Sequence, residues 1–106
     1  MIKTETHPDG MVSLRPIGDL DWSNAGALGH AVHNVLTPFV RVEIDLEHVI
    51  SVDAVGITRL LRSVRLIRSI AGEVQVTRVP AAVQSRLDLL GIDLRFIGTS
   101  RPGEAA

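Results

Sequence analysis

Apolar and charged residues alternate without a break over "VRVEIDLE", so that Val40, Val42, Ile44 and Leu46 fall on one side of an extended chain and Arg41, Glu43 and Asp45 on the other. That period of two predicts a strand in a sheet buried mainly on one face. Ile2 to Thr6 and Met11 to Ile17 are further extended segments, and "HPDG" between them has the turn chemistry of a hairpin. Helical spacing takes over at Ala25, Leu28, Val32, Val35 and Leu36, with Ser23 placed to cap the helix and Pro38 to end it. Gly26 and Gly29 weaken this helix by about 1 kcal/mol each relative to alanine. A second helix is predicted from about Val55 to Ala71, stopping at Gly72 as its left-handed cap. Val74 to Thr77 reads as a strand. Pro80 fits the first turn of a third helix with Val83, Leu87 and Leu90 as its buried stripe and Gly91 at its end, and Leu94 to Ile97 reads as a last short strand.

The order is hairpin, helix, strand, helix, strand, helix, strand. It predicts an α/β fold with a mostly parallel sheet, right-handed crossovers, packed helices and an antiparallel edge from the N-terminal hairpin. At 106 residues the chain suits one domain, expected over residues 1–98, with "TSRPGEAA" leaving 99–106 as a polar tail. A formal net charge of -1 gives no field suited to nucleic acid. Without cysteine there is no disulfide, thiolate zinc site or cysteine nucleophile. "MIKTETHPDG" lacks an apolar signal core and no apolar run approaches the roughly 20 residues of a membrane helix, so a cytoplasmic protein with no membrane contact is expected.

Candidate chemistry centres on "SVDAVGITRLL". Asp53 precedes a helix, where a carboxylate accepts from unpaired backbone donors, and capping is preferred to a catalytic role. Gly56 answers either a close approach by a partner or the preceding strand, or a simple turn requirement. Asp19, Asp21, Asp45 and Asp53 are weighed as an acidic rim for a cation, but for Asp45 a solvated side chain or a loop-bracing hydrogen bond is the better reading. His30 and His33 lie three apart on one helix and are read as surface residues in the absence of converging ligands, and no "GxxxxGK", "GxSxG" or "HExxH" run occurs. No metal, cofactor or catalytic activity is expected. Placed at roughly 100° steps, Ile57, Leu60, Leu61, Val64, Ile67 and Ala71 form the core stripe of the second helix. Val55, Arg59, Arg62, Leu66 and Ile70 form an opposite stripe with the composition of an interface. Trp22 is read as a hydrophobic staple ahead of Ser23, or as a second contact at the same rim.

"GDLD" at 18–21, "EIDLEHV" at 43–49, "VDAVGITRLL" at 52–61 and "LDLLGIDLRFI" at 87–97, in this order and spacing, resemble the STAS domain (sulfate transporter and anti-sigma factor antagonist) in its stand-alone bacterial form. The resemblance covers nearly the whole chain and implies a regulator that binds an anti-sigma factor of the serine kinase type. In that family the loop matching Asp53 to Gly56 carries, directly after the aspartate, a serine that the partner kinase phosphorylates. Here Ala54 stands in that place and Val55 follows, so neither offers an oxygen.

Two readings follow: the loop is permanently competent for its partner, which is preferred, or control has moved elsewhere, with Ser51 and Thr58 as candidate displaced phosphosites. The expected partner surface is Asp53, Ala54, Val55, Gly56, Arg59, Arg62, Leu66 and Ile70, with Asp21 and Asp45 supporting its conformation. Arg62→Glu combined with Leu66→Asp is expected to abolish binding with the fold intact. The alternatives are a nucleotide- or lipid-sensing module, or a scaffold subunit of a larger assembly; the chain is expected to be a monomer or homodimer.

Overall fold

The computed structural model describes residues 1–94. Strands β1 (Ile2–Thr6) and β2 (Val12–Pro16) form the hairpin, β2 runs parallel to β4 (Arg41–Asp45), and β4 runs parallel to β6 (Glu73–Thr77), giving a sheet of order β1-β2-β4-β6. Among the described residues there are three helices, α1 (Gly26–Val35), α2 (Ala54–Ser69) and α3 (Ala81–Leu89). The mostly parallel α/β architecture with an antiparallel hairpin edge is as the hydrophobic pattern predicts.

Register sorts the sheet into two unlike faces. Val12 and Leu14 lie beside Val42 and Ile44, which lie beside Val74 and Val76, and this apolar face carries α1 over β1 and β2 and α2 over β6. With Leu28 and Val32 of α1 and Ile57, Leu60, Val64 and Ile67 of α2, these side chains make the core. The opposite face is polar, and Asp45 on it is wholly buried, which excludes the solvated one of its two expected roles.

Two short strands were not legible as such. β3 (Gly18–Leu20) and β5 (Val49–Val52) form a separate parallel ribbon, with Gly18 beside Val49 and Leu20 beside Val52 and a bulge between them. In β5 only Val49 and Val52 point inward, while Ile50 and Ser51 are exposed, a pattern with neither strand nor helix period.

Helix ends also depart from expectation. Ser23 does not cap α1; its N–H and hydroxyl both donate to Asp21 Oδ1, at 3.0 and 2.6 Å, and the helix starts through a tight turn in which Ala25 N–H donates to Asp21 O. Trp22 is 77% exposed and is no staple. At the end of α2 the left-handed residue is Ala71, at φ 62°, not Gly72. Gly72 is needed for space: a Cβ there would lie 2.7 Å from both Ile67 Cγ2 and Ile67 O. Gly91, at φ 67°, does close α3, through bonds from Gly91 N–H to Asp88 O and Ile92 N–H to Leu87 O. Val83 and Leu87 are buried as predicted, but Leu90 is exposed. Leu94 packs against the core, whereas the rest of the expected last strand and the tail lie outside the described residues.

Candidate functional site

The β3–β5 ribbon delivers the chain to α2 at Asp53. One carboxylate oxygen accepts from Gly56 N–H at 2.8 Å, the N-terminal cap expected, and the other accepts from Trp22 N–H at 3.1 Å. Asp53 thus ties the turn before α1 to the start of α2. Gly56 is buried, and a Cβ on it would meet Leu20 O at 1.9 Å and Val52 Cγ2 at 2.8 Å. Of the alternatives open in the sequence, the close approach is therefore by β3: Gly56 lets the strand backbone press against the first turn of α2.

Between these fixed points Ala54 and Val55 are exposed, Val55 at 40%. They border a shallow depression with Thr58, Arg59 and Arg62. Ser51 and Thr58 are exposed but engaged. Ser51 Oγ donates to Asp19 Oδ1 at 2.7 Å, and Thr58 Oγ1 donates to Ala54 O at 2.9 Å within its own helix. A phosphoryl group on Ser51 would stand against the Asp19 carboxylate, a repulsive arrangement.

Farther along α2 the two stripes divide unevenly. Ile57, Leu60, Val64 and Ile67 are buried, Leu61 is half-buried and Ala71 is exposed. On the other stripe Arg59 and Arg62 are exposed, but Leu66 packs partly against the core and Ile70 is half-buried. Leu66 lies at the side of α1, where Gly29, Val32 and His33 meet Arg59, Arg62, Ser63 and Leu66 around a groove of about 360 Å³. Leu66→Asp therefore disturbs packing as well as any docking, and the expectation of an intact fold does not hold for it. The groove was not legible as a site; its one signal was the glycine pair of α1.

The four aspartates do not converge. Asp19 receives Ser51, and Asp21 receives Ser23, whose hydroxyl and N–H hold its carboxyl below the usual range. Asp53 caps α2, and Asp45 belongs to the polar sheet face. There burial pushes its carboxyl up, but Glu47 N–H, Arg15 and Arg78 outweigh burial and hold it below the ordinary value. Arg15 Nε stands 3.0 Å from Asp45 Oδ2, a guanidinium nitrogen of Arg78 stands 2.5 Å from it, and Glu47 N–H donates to Oδ1 at 3.0 Å. Asp45 thus makes the loop-bracing bond anticipated, its buried carboxylate shared with a partly exposed Arg15 and a half-exposed Arg78. Among the described residues no group of three His, Asp or Glu side chains could hold a metal, and His30 and His33 are both exposed.

A hairpin-edged parallel sheet, α1 and α2 on one face and a capped entry to α2 beside a two-stranded ribbon together define a STAS-type α/β domain. The family model described as "Mlab, STAS domain" matches residues 4–98, and the chain belongs to that family. Among solved structures the fold resembles a proposed anti-sigma factor antagonist of Thermotoga maritima, at 19% identity and TM-score 0.76, covering 95% of this chain and 86% of that one. It also resembles part of Mglu, at 22% identity and TM-score 0.65 over 76% of this chain, which spans only 20% of the Mglu chain. No curated protein sequence matches the chain. No helix among the described residues is long and apolar enough to cross a membrane.

Proposed function

We propose that the protein is an anti-sigma factor antagonist-like regulator that binds an anti-sigma factor of the serine kinase type through the start of α2, with Ala54 in place of the phosphoacceptor serine. The observation that carries this reading is the exposed pair Ala54 and Val55, presented between a capping Asp53 and a buried Gly56 and lacking any hydroxyl. Likeness of fold to the Thermotoga maritima protein supports the same kind of role. The domain carries out no chemistry; it contributes a surface. Asp53 and Gly56 hold that surface, Ala54 and Val55 form its apolar centre, and Arg59 and Arg62 supply its charge. An unmodified loop leaves the protein permanently competent, because no phosphoryl group of about -1.5 to -2 charge can be placed on it at residue 54.

The test uses the purified chain with the serine kinase-type anti-sigma factors of its own genome. One of them is expected to bind, to lose binding on Val55→Asp, and to transfer no phosphate to the wild type while labelling Ala54→Ser. Stoichiometric label on Ser51 or Thr58 of the wild type would overturn the unswitched loop, and binding indifferent to Val55→Asp would overturn the surface.

A further inference from the structure

The segment from Trp22 to Val40, which contains α1, holds no acidic residue, and neither does α2 from Ala54 to Ser69, although the whole chain is net -1. Within the helical layer, positive charge is thus concentrated on α2. Arg59, Arg62 and Arg65 follow one another at intervals of three, a spacing at which like charges weaken a helix by roughly 0.2–0.5 kcal/mol per pair. All three are exposed, and none has an ion-pair partner among the described residues. No carboxylate among the described residues offsets this repulsion, and a counter-charge brought by a binding partner would relieve it.

The groove between α1 and α2 gives the counter-charge a shape. Val32 and Leu66 form its apolar floor, and Arg59, Arg62 and His33 stand at its rim. Gly29 lines it from α1, and the space beside this residue is empty: a Cβ there would meet no atom within 4 Å, so a larger side chain would extend into the groove. Glycine at this place costs the helix about 1 kcal/mol against alanine and fills no turn, since its φ is not positive. An apolar trough with two arginines along its α2 side, beside a ten-residue helix, fits an amphipathic helix of two or three turns, laid with leucine-like anchors inward and carboxylates toward the arginines.

We infer that the α1–α2 groove is the receptor for an acidic amphipathic helix of the partner protein, and that Gly29 is the residue that keeps the groove open. This rests on the reading of the start of α2 as a partner surface, which the groove continues through Arg59 and Arg62.

The experiment titrates the full chain with a short synthetic helical peptide carrying leucines at i, i+4 and i+7 and glutamates at its flanks, with a lysine-flanked version and with vesicles of mixed phosphatidylglycerol and phosphatidylcholine. Amide chemical shifts are expected to move at Gly29, His33, Arg59 and Arg62 with the acidic peptide and not with its lysine version, and the affinity to fall as salt rises. Gly29→Leu is expected to remove binding without lowering Tm, and Arg59→Gln with Arg62→Gln to weaken it by at least roughly tenfold. Equal binding of both peptides, shifts elsewhere, no peptide binding, or vesicle binding alone overturns the inference. If Gly29→Leu fails to fold, the exposed double arginine variant decides: unchanged affinity overturns the inference. Capture of the anti-sigma factor that survives Gly29→Leu but not Val55→Asp overturns the groove and leaves the α2 entry standing. The converse pattern removes the entry and keeps the groove.

Discussion

The two outer layers of the domain handle charge in opposite ways. On the polar face of the sheet, charge is answered from within. His7 Nε2 lies 2.7 Å from Ser13 Oγ, which donates to Glu43 Oε1 at 2.8 Å, and Thr77 Oγ1 donates to Glu43 Oε2 at 3.0 Å. This chain crosses β2, β4 and β6, and beside it Asp45 takes Arg15 and Arg78 while Arg78 also meets Glu47 at 3.3 Å. Every buried side-chain polar atom among the described residues has a partner. The helical layer leaves the guanidinium groups of Arg59, Arg62 and Arg65 without an ion-pair partner among the described residues, the first two of them beside an open groove. Polar groups that close on one another fix a fold, and polar groups left open specify what approaches it.

The sharpest way to break this contrast is Asp45→Ala, which takes the shared acceptor from Glu47 N–H, Arg15 and the half-exposed Arg78 and leaves a buried hole, and is expected to cost about 3 kcal/mol in urea unfolding. A loss under about 1 kcal/mol would show that the sheet face is no more closed than the helical one. Of similar size is Gly56→Ala, expected to cost about 3 kcal/mol by forcing β3 away from α2. Its signature is lost amide protection at Leu20 and Asp53, and an unshifted melting curve would mean the two layers are not locked together there. Ser13→Ala removes the middle of the hydrogen-bonded chain and leaves Glu43 short of a donor, for a loss of about 1–3 kcal/mol.

Acid gives a subtler readout. The carboxyl of Asp45 is held below its ordinary value of 3.8 in the folded state, so its contribution is complete above that pH and is lost as pH falls through the folded value. Asp9 and Asp21 are displaced in the same direction. Stability is therefore expected to decline below about pH 4, and Asp45→Asn to flatten that decline while lowering stability at neutral pH. The smallest effect belongs to the helical layer: Arg62→Gln should change stability by no more than about 0.5 kcal/mol, or raise it, because it removes a repelling charge. A marked loss would mean that Arg62 has an internal role and that the asymmetry between the layers is false.

The sheet, its hairpin and all three helices were legible because their periods are strong: the alternation of Val40 to Leu46 and the stripe of Ile57 to Ile67 each allow one reading. β3 and β5 escaped because three and four residues hold too few positions to show a period. The cap at Asp53 was legible because it acts on residues next to it in the chain. The bond from Asp53 to Trp22 and the pressure of Leu20 on Gly56 were not, since both join segments more than thirty positions apart. The same reason hid the burial of Asp45, which reads as a polar-side residue of β4 until Arg15 arrives from β2 and Arg78 from the bend after β6. Leu66 looked free on the helical projection because a projection contains no neighbour, and α1 is the neighbour.

The clasp at Asp53 separates holding from presenting. The carboxylate and the bare Gly56 fix the entry, while the side chain at residue 54 bears none of that load and faces outward. Over evolutionary time such a position is free to gain or lose a hydroxyl by a single-nucleotide step between serine and alanine codons without the domain being rebuilt around it. A change there alters what the surface presents and leaves the frame that holds it as it is.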